Sequence, residues 1–319
     1  MLKGKTVAVV VPAYEEELLI GRVIDTMPDY VDNIVIVDDC SKDRTAEIVE
    51  GYVARSSGKV TLLRHEVNQG VGGAIATGYK WCRDHDIDAA VVMAGDAQMD
   101  PDDLPAILEP VLEDRADYSK GNRLITGDAW NKIPKVRYLG NSMLSLLTKI
   151  ASGYWHIADS QTGYTAINKK ALRLIDWDQM YKRYGQPNDL LVRLNIINLR
   201  VSDVEVKPVY NIGEKSGIRP IRIIPRMTLL ISRLFLYRMV QKYIIRDFHP
   251  LVLFYLAGFL FFLFDLFFLV RFFVLWFRLG AVPEITALFL LFCTFSSLLF
   301  ILFAMLFDME YNRDLNGGR

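Results

Sequence analysis

The chain has 319 residues, 52% of them hydrophobic, and its 37 basic and 37 acidic side chains balance to a formal charge of zero. That balance excludes the basic footprint of a nucleic-acid binder. Its three cysteines, Cys40, Cys82 and Cys293, have no metal-ligand spacing and fit free thiols rather than a disulfide framework. Up to about residue 219 apolar runs alternate with Gly, Asp and Pro, as in a soluble α/β domain, whereas from residue 251 the chain is overwhelmingly apolar.

The first predicted strand is the β-branched run TVAVVVPAY, closed by Pro12, and residues 15–27 then show helical periodicity through Leu18, Leu19 and Val23. The apolar run is short and leads into acids, so it does not read as a secretory signal. NIVIVDDCSKDRTAEIVEGYV repeats the pattern: a buried strand, Asp38 and Asp39 at its C-terminal end, then a helix capped by Ser41 or Asp43. VTLLRHEVNQGVGGAIATGYKWC and AAVVMAGDAQMDPDDLPAILEPVL do so again. Four strand-then-helix units predict a mostly parallel, Rossmann-like sheet with helices on both faces, which binds ligands beyond the C-terminal ends of its strands. GVGGAIATG is not a dinucleotide fingerprint, because it follows the third strand and Ile75 takes the place of the last glycine. His65, His85, His156 and His249 lack metal-like spacing, and each is expected to be an ordinary surface or interface residue.

Residues 251–270 carry one charge and residues 285–307 none, and about 20 apolar residues cross a ~30 Å hydrocarbon core, so both are expected to span a membrane. Before them, Arg222, Arg226, Arg233, Arg238, Lys242 and Arg246 recur near helical period among apolar residues, as in helices lying in the headgroup layer. This basic flank predicts a multi-pass protein with two spans, the large domain and the tail both facing the cytoplasm. The expected division is 1–219 for the soluble domain, 220–249 for amphipathic interface helices and 250–319 for the hairpin and tail. Asp265 lies ~21 Å along the first span, where an ionised carboxylate costs about 2.5–3.5 kcal/mol. It is expected to face a helix interface, through a polar contact on the second span such as Thr294, Ser296 or Ser297 or through a neighbouring subunit in a homo-oligomer.

With VVVPAYEEE, IVIVDDCSKDRT, NQGVGGAIATGY, AGDAQMDP, KGNRL and DSQTGYTAI in this order, residues 3–216 resemble the family-2 glycosyltransferases of the GT-A fold. The chain looks most like the polyprenyl-phosphate branch that includes dolichyl-phosphate mannose synthase. The resemblance implies that Pro12, Tyr14, Glu16, Asp38, Asp39 and Gly70 bind a nucleotide sugar, together with Asp96 and Gln98. The family usually has Asn where this chain has Glu15. Aligned on the family's Asp-x-Asp, Ala94 takes the first position and Asp96 the last, with Gln98 two residues on. In an extended segment Asp96, Gln98 and Asp100 would face one point. Asp96 and a Gln98 carbonyl, completed by the donor diphosphate, suffice for Mg²⁺ or Mn²⁺, since Mg²⁺ is held by one or two carboxylates plus substrate phosphates.

An alcohol acceptor needs a general base, whereas a phosphate monoester with a second pKa near ~6 arrives ionised and needs cations to position it. Lys120, Arg123, Lys135, Arg137 and, further on, Lys215 and Arg219 supply such cations. By resemblance Arg123, Arg137 and the Lys215, Ser216 loop bind acceptor phosphate or donor diphosphate, with Gln161 and Thr162 in the acceptor pocket. Asp159 lines that pocket, and Asp189 is either a base, as in sugar-acceptor relatives, or a first-turn acid. The expected activity is inverting transfer of one sugar from a nucleotide diphosphate, UDP favoured and GDP-mannose the alternative, to dolichyl or undecaprenyl phosphate. Two competing readings are a processive polysaccharide synthase, whose Gln-x-x-Arg-Trp signature is absent, and an inactive nucleotide-binding membrane scaffold, motivated by Ala94.

Overall fold

The computed structural model describes residues 1–125, 135–207 and 220–318, without the side chains of residues 136, 137, 220–224 and 279. The chain divides into two units, Met1–Leu236 with Asp314–Arg319, and Tyr237–Arg313.

The first unit is built on a seven-stranded sheet: β1 (Val7–Ala13), β2 (Asn33–Asp38), β3 (Val60–Arg64), β4 (Ala89–Val92), β5 (Tyr118–Asn122), β6 (Thr165–Asn168) and β7 (Val201–Glu205), in the order β3-β2-β1-β4-β6-β5-β7. Strands β1 to β4 run parallel as the four repeated units predict, while β6 runs antiparallel to both β4 and β5. Alternation along β1 divides the core between two faces. Val7, Val9 and Val11 pack with Ile20, Leu104 and Ile107, and Ala8 and Val10 with Ile75, Tyr79 and Trp177. Both faces are covered by helices: α1 (Ile20–Asp25), α2 (Thr45–Arg55), α3 (Val71–Asp84), α4 (Leu104–Leu112), α5 (Lys135–Ser152), α6 (Lys169–Leu174) and α7 (Gln186–Ile196). Gly78 lets α3 approach the sheet, because a Cβ there would sit 2.2 Å from Val10 Cγ1.

The periodicity that predicts a helix from residue 15 is realised only from Ile20. Glu15 adopts a left-handed φ of 56°, and the next loop captures the amides that would open the helix. Glu15 N–H donates to Ser41 Oγ (3.0 Å), Glu16 N–H to Thr45 Oγ1 (2.9 Å) and Glu17 N–H to Asp43 Oδ2 (3.1 Å). Asp43 also accepts from Thr45 N–H at 3.0 Å, but neither expected residue is the N-cap of α2: that position is Arg44, with no side-chain cap.

The expected boundary at residue 219 also moves. The division falls within α8 (Pro220–Val240), and the tail belongs to the first unit. Asn316 pairs in parallel with Val201, Gly317 N–H donates to the Val201 carbonyl (2.9 Å), and a Cβ on Gly317 would lie 2.5 Å from Ala116.

The second unit contains a π-helical turn, Gln241–Arg246, and two antiparallel helices, α9 (Leu251–Leu279) and α10 (Glu284–Tyr311). Within them Leu251–Arg278 and Glu284–Tyr311 have mean hydropathies of 2.4 and 2.5, long and apolar enough to cross a membrane, and most of each is exposed rather than buried as in a core helix. This supports a membrane location. Their contact is close at Gly258, whose carbonyl accepts from Ser297 Oγ (2.9 Å). Thr294 Oγ1 donates to Asp265 Oδ1 at 2.6 Å, one of the contacts expected for that carboxylate. At the base of the hairpin Arg238, fully buried, forms a two-pronged ion pair with Asp308 (2.8 and 2.9 Å). Tyr243 and Asn312 complete the hydrogen bonding of Asp308, and Lys242 donates to Asn312 Oδ1 (2.7 Å). Burial, and then the Arg238 charge, push Lys242 down to about 7.

Candidate active site

Beyond the C-terminal ends of β1, β2 and β4 lies an open cleft of about 940 Å³. Pro12, Tyr14, Glu16, Asp39, Gly70 and Asp96, all nominated from sequence, line it, and so do Lys42, Asn68, Arg183 and Tyr184, which were not. These four sit in loops without periodicity, and Arg183 and Tyr184 lie far along the chain from the motifs they join.

The two acids ending β2 have different surroundings. Asp38 does not line the cleft: it is buried, accepts from Ser41 N–H (3.2 Å) and lies 3.9 Å from Arg64 Nε. Asp39 reaches the cleft and also braces its wall, accepting from Gln69 N–H (2.8 Å) and Gly70 N–H (2.7 Å). His65 is not the surface residue expected. Its ring bridges Asp39 Oδ1 (2.7 Å) and Thr77 Oγ1 (2.9 Å) with 7% of its side chain exposed, fastening β3 to α3 behind the ligand wall. Gly70, at φ 84°, is required by the segment that crosses it, since a Cβ would lie 2.5 Å from the Lys182 carbonyl oxygen.

The extended geometry expected for Asp96 to Asp100 is not observed. Ala97 has a φ of 54°, and Gln98 N–H turns back to Asp96 Oδ1 (3.1 Å). Asp100 caps the following turn through Asp102 N–H (3.0 Å). Only Asp96 of this trio lines the main cleft, so the three do not face one point. What faces Asp96 instead is Glu16. Burial, then the charges of Asp96 and Asp43, push Glu16 up to about 7. Among the described residues no three His, Cys, Asp or Glu side chains gather as a metal cage. Asp96 and Glu16 are the carboxylates there that could hold a hard cation, whose remaining ligands would be phosphate oxygens and water.

A second cluster joins the end of β5 to the loop 158–164. Asp159, fully buried, accepts from Arg123 Nε (2.8 Å), Arg123 Nη2 (3.3 Å) and Gln161 N–H (3.0 Å). Burial alone would raise its carboxyl, but the charge and hydrogen bonds of Arg123 and the charge of Lys120 hold it below the usual range. Gln161 Nε2 donates to Asn188 Oδ1 (3.0 Å), which also accepts from Thr148 Oγ1 (2.9 Å). Lys120 is no surface cation: fully buried, it donates through Nζ to the Thr162 carbonyl at 2.5 Å. Asp189 is a buried first-turn acid of α7, accepting from Tyr181 N–H (2.8 Å) and Arg193 Nε (2.9 Å). Arg137 lies on α5 with its side chain outside the described residues, as are Lys215, Ser216 and Arg219 entirely.

Comparison with known proteins agrees with this geometry. The family model "Glycosyl transferase family 2" matches residues 8–175. A UDP-N-acetylglucosamine–dolichyl-phosphate N-acetylglucosaminyltransferase of Methanococcus voltae is 33% identical over 221 residues, 66% of this chain and 88% of that protein. An undecaprenyl-phosphate mannosyltransferase of Micrococcus luteus is 30% identical over 205 residues, covering 63% and 82%. Among solved structures, glucosyl-3-phosphoglycerate synthase from Mycobacterium tuberculosis in complex with UDP superposes with a TM-score of 0.52 at 20% identity, covering 74% of this chain and 80% of that one. The same enzyme is also known with Mn²⁺, UDP and product, at a TM-score of 0.50. Motifs, sheet order and family match converge: the chain belongs to glycosyl transferase family 2, a glycosyltransferase of GT-A fold.

Proposed function

We propose that the protein is a membrane-anchored inverting glycosyltransferase that moves one sugar from a nucleotide-diphosphate sugar, UDP-linked in preference to GDP-linked, onto polyprenyl phosphate. One observation carries the choice of acceptor. The two carboxylates nominated for work at the acceptor side, Asp159 and Asp189, are both buried and both committed to arginine, Arg123 and Arg193. Asp159, which the charges of Arg123 and Lys120 hold below the usual carboxylate range, is a poor proton acceptor, so among the described residues of this cluster it offers an alcohol no base. A phosphate monoester needs none. The relatives that act on dolichyl or undecaprenyl phosphate support the same acceptor class.

In the proposed reaction a phosphate oxygen of the acceptor attacks the anomeric carbon in line, the carbon–oxygen bond to the nucleotide breaks, and the nucleoside diphosphate leaves with the electron pair. An α-linked donor gives a β-linked lipid phosphate. A divalent cation, Mg²⁺ or Mn²⁺, would be held by Asp96, with Gln98 and Glu16 nearby, and supplies charge stabilisation for the departing diphosphate. Pro12, Tyr14, Asp39 and Gly70 line the cleft proposed for the nucleoside, and Arg123, Arg137, Lys215 and Ser216 are the proposed contacts to phosphate.

The membrane arrangement is part of the proposal: two spans, both ends cytoplasmic. The basic residues preceding α9 support the orientation, and the tail paired with β7 supports an even number of crossings. The Asp265–Thr294 pair lies on a partly exposed edge of the hairpin, a site for a homo-oligomer contact. The test is to incubate membranes holding the protein with UDP- and GDP-sugars and polyprenyl phosphate, and to detect the glycolipid by mass. A product with one donor class supports the reading, and no glycolipid from any donor with Mg²⁺ or Mn²⁺ present contradicts it in favour of the inactive scaffold.

A further inference from the structure

Lys120 belongs to a strand whose five residues are all buried, and its side chain has no exposed surface. An ammonium in such a place is costly unless something holds it. Its Nζ donates to the carbonyl of Thr162, and the charged groups that face it are Asp159, Arg123 and Asp203. Those partners all converge on one loop. From β7, Asp203 Oδ2 accepts from Ala158 N–H (3.2 Å) and from Asn122 Nδ2 (2.5 Å); from α5, Ser145 Oγ accepts from Ser160 N–H (3.0 Å). The loop 158–164 is thus fastened at Ala158, Asp159, Ser160 and Thr162, the last by Lys120.

We propose that Lys120 is a positioning residue of the transfer reaction: its ammonium fixes the Thr162 carbonyl and shares the Asp159 charge with Arg123, so that the Arg123–Asp159 fork and the loop 158–164 keep their place at the acceptor wall. The inference rests on the lipid-phosphate reading above. Removing the ammonium leaves Asp159 to Arg123 alone and frees the carbonyl of Thr162, which loosens the acceptor wall without touching the nucleotide cleft. Burial holds Lys120 near 8 rather than at the usual lysine value, so its charge titrates within reach of an enzyme assay.

The test compares wild type with Lys120→Met, a neutral side chain of similar length. The expected result is donor binding within about twofold of wild type, an unchanged or higher Tm, and kcat toward polyprenyl phosphate lower by roughly 10²-fold, the scale of a misplaced positioning group. In wild type kcat should fall as pH rises through about 8, and that limb should be absent from the variant. Lys120→Gln, which keeps a neutral donor for Thr162, should recover part of kcat and still lack the limb. Hydrogen exchange at residues 158–164, measured without acceptor, should quicken in Lys120→Met while β1 to β4 keep their protection. The role is overturned if loop exchange and the wild-type pH limb both persist in Lys120→Met, or if its loss of kcat is matched by equal loss of donor binding and Tm. Failure of the wild type to use lipid phosphate overturns the acceptor reading instead, and loop exchange still decides the role of Lys120.

Discussion

At the scale of single residues, charge compensation separates the two halves of the site. Asp159 and Asp189 are neutralised by arginines, whereas Asp96 and Glu16 face one another across the cleft and Glu16 answers by holding its proton to about 7. Asp96→Asn should therefore abolish most turnover and weaken Mn²⁺ binding, read by calorimetry with UDP present, while Ala94→Asp should leave activity intact or tighten the metal. Wild-type turnover in Asp96→Asn would remove Asp96 from the site. Lys120 yields a prediction about stability. Its folded pKa of about 8 lies below the ~10.4 of an unfolded chain, so burying the ammonium costs on the order of 3 kcal/mol below pH 8. The cost fades between about pH 8 and 10.4, so any Tm advantage of Lys120→Met at pH 7 should shrink across that window in thermal melts. A gap that widens with pH would contradict the burial account. Much of this scale was hidden from sequence. Asp96 and Asp39 are legible because an acid ending an apolar strand stands out, but nothing near His65 or Lys120 signals that each is buried among partners distant in the chain.

At the scale of elements, periodicity succeeded where a segment's hydrogen bonds are its own. Strands β1 to β4 and helices α2 to α4 stand where apolar periodicity puts them. It failed for residues 15–19, where the amides of Glu15, Glu16 and Glu17 are claimed by Ser41, Thr45 and Asp43, and for the turn at Ala97, whose left-handed φ breaks the alternation that would have aligned Asp96 with Gln98. The antiparallel β6 was illegible because its direction is set by pairing with β4 and β5. At the base of the hairpin, Arg238 and Asp308 form a fully buried ion pair. Arg238→Met leaves Asp308 charged and without its two-pronged partner, and should destabilise the second unit by about 3–5 kcal/mol, whereas Arg238→Met with Asp308→Leu should recover much of the loss. Thermal unfolding in detergent reads both. Asp265→Leu should leave donor binding intact and alter span packing or oligomer size, and unchanged detergent stability and size would count against an interface at Asp265–Thr294.

At the scale of the whole molecule, the proposed function would use the seven-stranded sheet for a water-soluble donor and the two apolar helices for a lipid acceptor. Composition alone made that pairing legible, since the shift at residue 251 needs no structure to be seen. The position of the tail was not legible, because MEYNRDLNGGR has no strand pattern and is ordered by Val201 and Ala116. If the acceptor is a phosphate monoester, kcat/KM should rise as pH increases through ~6, where the second ionisation of the nucleophile is completed. The most direct test of the central claim is a comparison of initial rates, at pH 7 with saturating donor and metal, between a polyprenyl phosphate and the same polyprenol without its phosphate. Transfer to the phosphate with none detectable to the alcohol is the predicted result, and comparable rates to the two acceptors would contradict a site whose acids are committed to arginine and whose nucleophile must arrive already charged.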